Sequence, residues 1–322
     1  MKNKLNITII GIGGVGGYFG GRITDSLRRN LNSDYTITFI ARGEHLKLIK
    51  QNGLILNTSD QQGIICKPDY SSDNFNDIPK PDIIILAVKS YDLENILSKI
   101  SLIINDNTII LPLLNGVDIY ERIRKIIKNG IVLPACAYVS THIEKSGVVT
   151  QTGPVGKLLF GRDPQNPNYF PNSLIEVLKL SKINFQWFED PYPAIWEKYM
   201  FIAAYGIVTA SSNKTIGEVF SDFNLKENAR QVMVEIFDIA RKKGILLFDY
   251  IVEDSLNKAR YFAHETKTSY QRDIENKGNI NEGDLLGQTI LKLSAQNGLS
   301  APVTDKLFKI ILEHQNKKVL AT

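Results

Sequence analysis

Residues 1–17, MKNKLNITIIGIGGVGG, decide the fold. Ile7 to Ile10 is a short β-branched run, glycines follow at once, and a helical period extends from Val15 to about Arg29. A strand, a glycine turn and a helix in that order build a dinucleotide-binding βα unit, and Gly11, Gly13 and Gly16 stand at the G-x-G-x-x-G spacing. Each of these glycines has a mechanical job. Gly11 permits the tight turn, Gly13 lets a pyrophosphate approach the backbone, and Gly16 allows helix and strand to pack closely. The backbone of Gly11, Ile12, Gly13, Gly14, Val15 and Gly16 thus offers free N–H groups and a partial positive charge to phosphates. A charged start before an apolar run has the outline of a signal peptide, but the glycines break the run early, and a first strand accounts for it better.

Working outward, Tyr35 to Ile40 (YTITFI) reads as a second strand, and Ala41-Arg42-Gly43 follows it. An NAD site places Asp or Glu at that strand end to hold the ribose 2′-hydroxyl. A guanidinium there pairs instead with a 2′-phosphate in fork geometry, so Arg42 points to NADP(H), the alternative being a solvated arginine at a strand end. Asp82 to Val88 (DIIILAV) is almost continuously apolar, as a strand buried on both faces must be. Lys89 comes directly after it, at the sheet edge that faces ligands in open α/β folds, although a solvated lysine fits that place too. Shorter strand-like pieces lie at Leu54–Leu56, Gly63–Cys66, Thr108–Leu111 and Ile131–Ala135, with a helix near Val117–Ile127. Gly147 to Gly161 suggests a closing strand pair. This alternation predicts a parallel sheet flanked by helices, hence an α/β, Rossmann-type domain.

The character then changes. Asp163 to Pro171 is a loop by composition. After Pro193 nearly everything has a helical period: Ala194–Ser211, Asn224–Lys243, Val252–His264, Asp284–Asn297 and Val303–Gln315. The boundary is expected near Glu189–Pro193, giving a dinucleotide-binding domain over residues 1–190 and a helical substrate and catalytic domain over 191–322.

The bulk properties agree with two globular domains: 322 residues, 43% hydrophobic and 22% charged. The formal net charge of +4 is spread over acidic and basic stretches, with no basic patch of the kind that binds nucleic acid. No stretch approaches the length of a membrane span, so a cytoplasmic protein is expected. Cys66 and Cys136 are far apart among apolar neighbours, which predicts buried reduced thiols. No cysteine–histidine cluster suggests a metal, and four scattered histidines give no Ser–His–Asp arrangement. The apolar stripes of the C-terminal helices fit an internal core or a homodimer face, leaving oligomeric state open.

Several longer stretches then match one family in order and spacing: GIGGVGGYFGGRI, AVKSYDL, LLNGVD, WEKYMFIAA, TSYQRDIENKGNINEGD and NGLSAPV. Along essentially its whole length the chain resembles the ketopantoate reductases (2-dehydropantoate 2-reductases). The resemblance implies a Rossmann-type NADP-binding domain followed by an all-helical domain like the C-terminal one of 6-phosphogluconate dehydrogenase. It also implies NADPH-dependent reduction of 2-dehydropantoate to pantoate, as in pantothenate biosynthesis. By position, Lys198 matches the family's catalytic lysine, and Asn115 an active-site asparagine near both substrate and cofactor. Ser269 matches a substrate-binding serine. Glu282 matches the active-site glutamate if one extra residue is allowed in the preceding loop; Asn281 is its rival.

These residue types suit the chemistry. Hydride delivery to a ketone leaves negative charge on oxygen, which a nearby cation stabilises most in the transition state. A lysine can also supply the proton that completes the alcohol. The chain departs from the family pattern at Ile202, Gly206 and Ile216, where asparagines are usual, so a polar stripe beside Lys198 becomes apolar. Asn213 is the nearest amide that could stand in. Lost hydrogen bonds of this kind shift substrate preference. Two alternatives to ketopantoate reduction therefore stand: an NADP-dependent reductase of a more apolar 2-keto acid, and a non-catalytic NADP(H)-sensing protein.

Overall fold

The computed structural model describes residues 4–29, 34–277 and 281–320. The chain divides into two compact units, Met1–Pro191 and Tyr192–Thr322.

The first unit is built on strands β1 (Leu5–Ile10), β2 (Tyr35–Ile40), β3 (Leu54–Asn57), β4 (Ile64–Cys66), β5 (Tyr70–Ser72), β6 (Ile83–Leu86), β7 (Ile109–Pro112), β8 (Ile131–Val132), β9 (Ala135–Lys145), β10 (Val148–Gly161) and β11 (Asn184–Phe188). Its helices are α1 (Gly14–Arg29), α2 (Gly43–Asn52), α3 (Ser90–Ile100), α4 (Ile119–Ile126) and α5 (Asn172–Leu180). Among the described residues, β5-β2-β1-β6-β7-β8 form one sheet in that order, and every pairing is parallel. The central strands β6 and β7 are buried throughout, which is why they read as unbroken apolar runs. The strand expected over Ile131–Ala135 is split. Pro134 has no N–H for a ladder and stands between β8 and β9.

A second, mixed sheet was not anticipated as a separate layer. Its order is β11-β10-β3-β4, with β9 paired antiparallel to β10. The closing pair expected over Gly147–Gly161 is in fact β9 with β10, and Gly147, at φ +80°, makes the tight turn between them. Helix α1 is sandwiched between the two sheets. A Cβ on Gly20 would touch Ile9 and Phe39 of the first sheet, at 3.1 and 3.2 Å. One on Gly17 would meet Val149 of the second at 2.6 Å. The glycine-rich face of α1 thus extends past the phosphate fingerprint because two sheets close on it. Cys66 and Cys136 are buried in this unit and are not joined in a disulfide, and burial pushes the Cys66 thiol up to about 12.

The second unit is helical: α6 (Tyr192–Ser212), α7 (Ile216–Ser221), α8 (Phe223–Lys242), α9 (Ile251–Asn257), α10 (Ser269–Lys277), α11 (Thr289–Gln296) and α12 (Pro302–Leu320). Helix α6 is its axis, packed against α7, α8, α9, α10 and α12. Trp196, Tyr199, Met200, Ala203, Ala204, Tyr205, Ile207 and Val208 bury it on all sides, as expected for a helix apolar all round. Two predicted helices are less regular than their period suggested. The segment after α9 tightens into a 3₁₀ turn over Lys258–Tyr261, and α11 is preceded by a π turn over Asp284–Gln288. Among the described residues no helix is long and apolar enough to cross a membrane.

Candidate active site

In the first unit, parallel pairing puts the carboxyl ends of β1, β2, β6 and β7 along one edge of the sheet. The glycine turn, Arg42, Lys89 and Asn115 follow those four strands, so the fold gathers them there. Gly11 has φ +90°, and a Cβ on it would stand 2.7 Å from the carbonyl oxygen of Ala87 at the end of β6. Only glycine fits that turn. A Cβ on Gly16 would collide with the carbonyl oxygen of Gly11, so α1 approaches β1 as closely as a bare backbone allows. Gly13 differs from both: among the described residues beyond its chain neighbours, none has an atom within 4 Å of where its Cβ would be. Ile12 is buried and Val15 is partly buried against the core, so what these two apolar residues can offer a phosphate is their backbone N–H. Gly14 begins α1, whose first turn has no acidic residue to compete with a bound anion. Residues here fit a dinucleotide: an open cradle at Gly13, a helix N-terminus without an acidic residue in its first turn, and basic side chains beyond.

Arg42 is exposed and caps α2 in extended conformation. Its guanidinium is not idle. Nη2 donates to Asp92 Oδ2 at 2.6 Å and Nη1 to Asp92 Oδ1 at 3.3 Å. Asp92 stands in the first turn of α3, within AVKSYDL, and no local sequence pattern marks it as the partner of Arg42. Fifty residues separate the partners, and only the sheet order brings them together. Lys89 is half-buried at the N-cap of α3. Asn115 is half-buried in the loop after β7.

That loop leads into α4, which is clamped from below. Asp163, with no exposed side-chain surface, accepts from Arg124 Nη2 at 2.5 Å and from the Tyr120 hydroxyl at 2.7 Å. It also accepts from the Val132 N–H at 3.0 Å and from Asn166 Nδ2 at 2.8 Å. Burial, and then this carboxylate, push the Tyr120 hydroxyl up to about 12. Asp163 opens the stretch that composition marks as a loop, and nothing local in the sequence reveals it as an anchor. On the other flank, the N–H of Gly147 donates to His45 Nδ1 at 2.9 Å, tying α2 to the β9–β10 turn.

In the second unit, Lys198 sits in the second turn of α6 and is 8% exposed. Lysine is almost never so buried without partners, so its presence in an apolar helix needs a reason. The next residue, Tyr199, donates its hydroxyl to the Leu285 and Leu286 carbonyls at 2.7 and 3.0 Å. It therefore satisfies backbone groups of the π turn that directly follows Glu282. Such turns recur at functional sites. Glu282 is 9% exposed, whereas Asn281 is only half-buried and its Oδ1 accepts the N–H of Gly283 at 2.9 Å. Of the two rivals, Asn281 is used locally and Glu282 is held inside the fold.

Ser269 is the exposed first residue of α10, beside Thr268, which shares a 2.9 Å hydrogen bond with Thr209 of α6. Ile202 is half-buried and Ile216 buried at the start of α7. Gly206 is not a gap. A Cβ there would stand 3.3 Å from Leu286 Cδ1 and 3.8 Å from Tyr270 Cβ, so these side chains fill the room a longer residue would need. Asn213 is exposed at φ +55° just after α6, a left-handed position that asparagine tolerates and that ends helices.

Comparison with known proteins agrees with this two-part architecture. The family model described as "Ketopantoate reductase PanE/ApbA" matches residues 7–165, and its C-terminal counterpart matches 191–315. The chain is 24% identical to an uncharacterized oxidoreductase, YkpB, of Bacillus subtilis, covering 98% of this chain and all of that one. It is 27% identical to a 2-dehydropantoate 2-reductase of Pyrococcus horikoshii, covering 95% of this chain and 96% of the relative. Among solved structures, D-mandelate dehydrogenase in ternary complex with NADH and anilino(oxo)acetate superposes with a TM-score of 0.84 at 19% identity, over 97% of this chain and 99% of that one. The glycine turn with its carboxyl-edge residues, the buried lysine on the axial helix and the match of both units lead to one assignment: the chain belongs to the ketopantoate reductase PanE/ApbA family of oxidoreductases.

Proposed function

We propose that this protein reduces a 2-keto acid to the 2-hydroxy acid at the expense of NADPH, with ketopantoate, giving pantoate, as the reference substrate. The observation that carries the reading is Lys198, a buried lysine on an apolar helix with the Glu282 turn hydrogen-bonded to the adjacent residue. The bound nicotinamide supplies the hydride. Lys198 Nζ stabilises the charge that develops on the carbonyl oxygen and donates the proton that completes the alcohol. Asn115 orients the reacting groups with a neutral amide, Ser269 donates to the substrate carboxylate, and Glu282 is the acidic partner of the site. The backbone of Gly11–Gly16 holds the pyrophosphate, while Lys89 adds positive charge at the same edge. Arg42 is the cation at this edge whose fork can pair with a 2′-phosphate.

Substrate preference is expected to lean away from ketopantoate, toward 2-keto acids with apolar tails. Ile202, Gly206 and Ile216 offer no side-chain hydrogen bond, and Tyr270 with Leu286 makes the surroundings of Gly206 apolar. Mandelate, named for one structural neighbour, is a 2-hydroxy acid with an aromatic substituent, which is consistent with such a leaning. A cytoplasmic, membrane-free enzyme is part of the same reading.

The test is NADPH oxidation, followed by absorbance, with ketopantoate and a panel of branched and aromatic 2-keto acids, comparing wild type with Lys198→Ala. Turnover that falls by roughly 10²-fold or more in the variant, with NADPH binding retained, supports the reading. NADPH binding without turnover on any of these acids overturns it and leaves a nucleotide-sensing protein.

A further inference from the structure

The sheet order places β1 between β2 and β6: from the glycine turn the chain runs through α1 to β2 on one side of β1, and after β5 it crosses to β6 on the other side. Ligands of open α/β folds bind at this kind of switch point. Arg42 comes from the end of β2, and Asp92 from the first turn of the helix after β6. Their ion pair therefore spans the carboxyl end of β1, across the place where the adenosine ribose of a dinucleotide belongs. The geometry is a fork: both guanidinium nitrogens that would grip a phosphate face the two oxygens of one carboxylate. Asp92 is also where a helix favours a negative charge, and 21% of its side chain is exposed, against 69% for Arg42. Of the two partners the carboxylate is the better fixed.

The two groups serve opposite cofactors. A guanidinium at this edge recognises the 2′-phosphate of NADP(H), and a carboxylate accepts from the 2′-hydroxyl of NAD(H). Here one ion pair contains both. A 2′-phosphate must displace Asp92 from the Arg42 fork and then remain close to a like charge. A 2′-hydroxyl has only to donate to an oxygen already in position, with the pair intact.

We propose that Asp92 is a cofactor-discriminating residue, which masks Arg42 against the 2′-phosphate and accepts from the 2′-hydroxyl, so that the protein binds NADH alongside NADPH. This rests on the nicotinamide-dependent reading above. Asp92 acts on NADPH through Arg42 and not through the fold, which separates it from a purely structural ion pair.

The experiment measures dissociation constants of NADPH and NADH by nucleotide fluorescence for wild type, Asp92→Asn, Arg42→Met and the double variant. Asp92→Asn keeps size and shape. It is expected to tighten NADPH roughly three- to tenfold, the scale of one exposed ion pair plus one screened repulsion, without tightening NADH. In the Arg42→Met background the same substitution is expected to change NADPH affinity less than about twofold, because the masked group is gone. The NADPH gain in Asp92→Asn should shrink in high salt. An unchanged NADPH-to-NADH ratio, an equal tightening of both, or the same NADPH gain without Arg42 overturns the proposal. A wild-type protein that binds neither nucleotide is a different failure: it removes the dinucleotide reading itself, and the role of Asp92 falls with it.

Discussion

Replacing Gly13 and Gly16 by alanine, one at a time, separates a glycine kept for a ligand from one kept for the fold. At Gly13 an added Cβ meets no atom of the described residues within 4 Å apart from its chain neighbours, and the backbone is not in the left-handed region. Alanine there restricts the unfolded chain and stabilises by about 0.4–1 kcal/mol. For a unit of this size that raises Tm by about 1–4 °C. The same methyl group enters the space assigned to the pyrophosphate. Overpacking of this kind costs about 1–3 kcal/mol, which weakens binding roughly 5- to 150-fold. At Gly16 the methyl group collides with the Gly11 carbonyl and stands 3.0 Å from Ala87 Cβ. Because the obstacle is backbone, the cost lies at or beyond the upper end of that range, about 3 kcal/mol, and Tm falls by about 6–12 °C. Thermal unfolding without nucleotide, followed by NADPH titration at a temperature where every variant is folded, measures both effects. A Gly13→Ala protein that binds NADPH like wild type refutes the assignment of the turn to phosphates. A Gly16→Ala protein as stable as wild type refutes the packing argument.

Asp163→Ala leaves the Arg124 cation buried without its carboxylate and is expected to destabilise the first unit by about 3–5 kcal/mol in denaturant unfolding; a loss below about 1 kcal/mol would count against the clamp under α4. Burial holds the His45 imidazole below its ordinary value, and Nδ1 can accept from Gly147 only in the neutral ring. As pH falls below about 6.5 the unfolded chain takes that proton first, so the stabilisation is present above this pH and lost below it. Stability of His45→Asn should therefore fall less steeply than that of wild type between about pH 7 and 5, and parallel curves would show that His45 carries no such linkage.

The site candidates of the first unit other than Asn115 were legible because their signals are local. The glycine turn is fixed by residues within one strand–helix step, and the end of β2 is marked by the residue after YTITFI. The buried runs of β6 and β7 show their two covered faces as composition. Lys198 was different: burial on α6 marks it in the structure, while in the sequence a lysine near a helix start looks solvated, and only the family resemblance singled it out.

The sequence by itself determined the dinucleotide-binding βα unit, its glycine turn and the change to a helical second half, because steric demands and periodicity act between near neighbours, while Lys198, Asn115, Ser269 and Glu282 were named only by the family resemblance. Tertiary structure alone decided what those candidates touch. It showed that Arg42 is bound by Asp92, that Gly206 lies under Tyr270 and Leu286, that Asp163 is a buried anchor, and that α1 is glycine-rich because two sheets enclose it. These are pairings between residues far apart in the chain. They are set by strand order and helix packing, and no local pattern records which distant side chain arrives at a given surface.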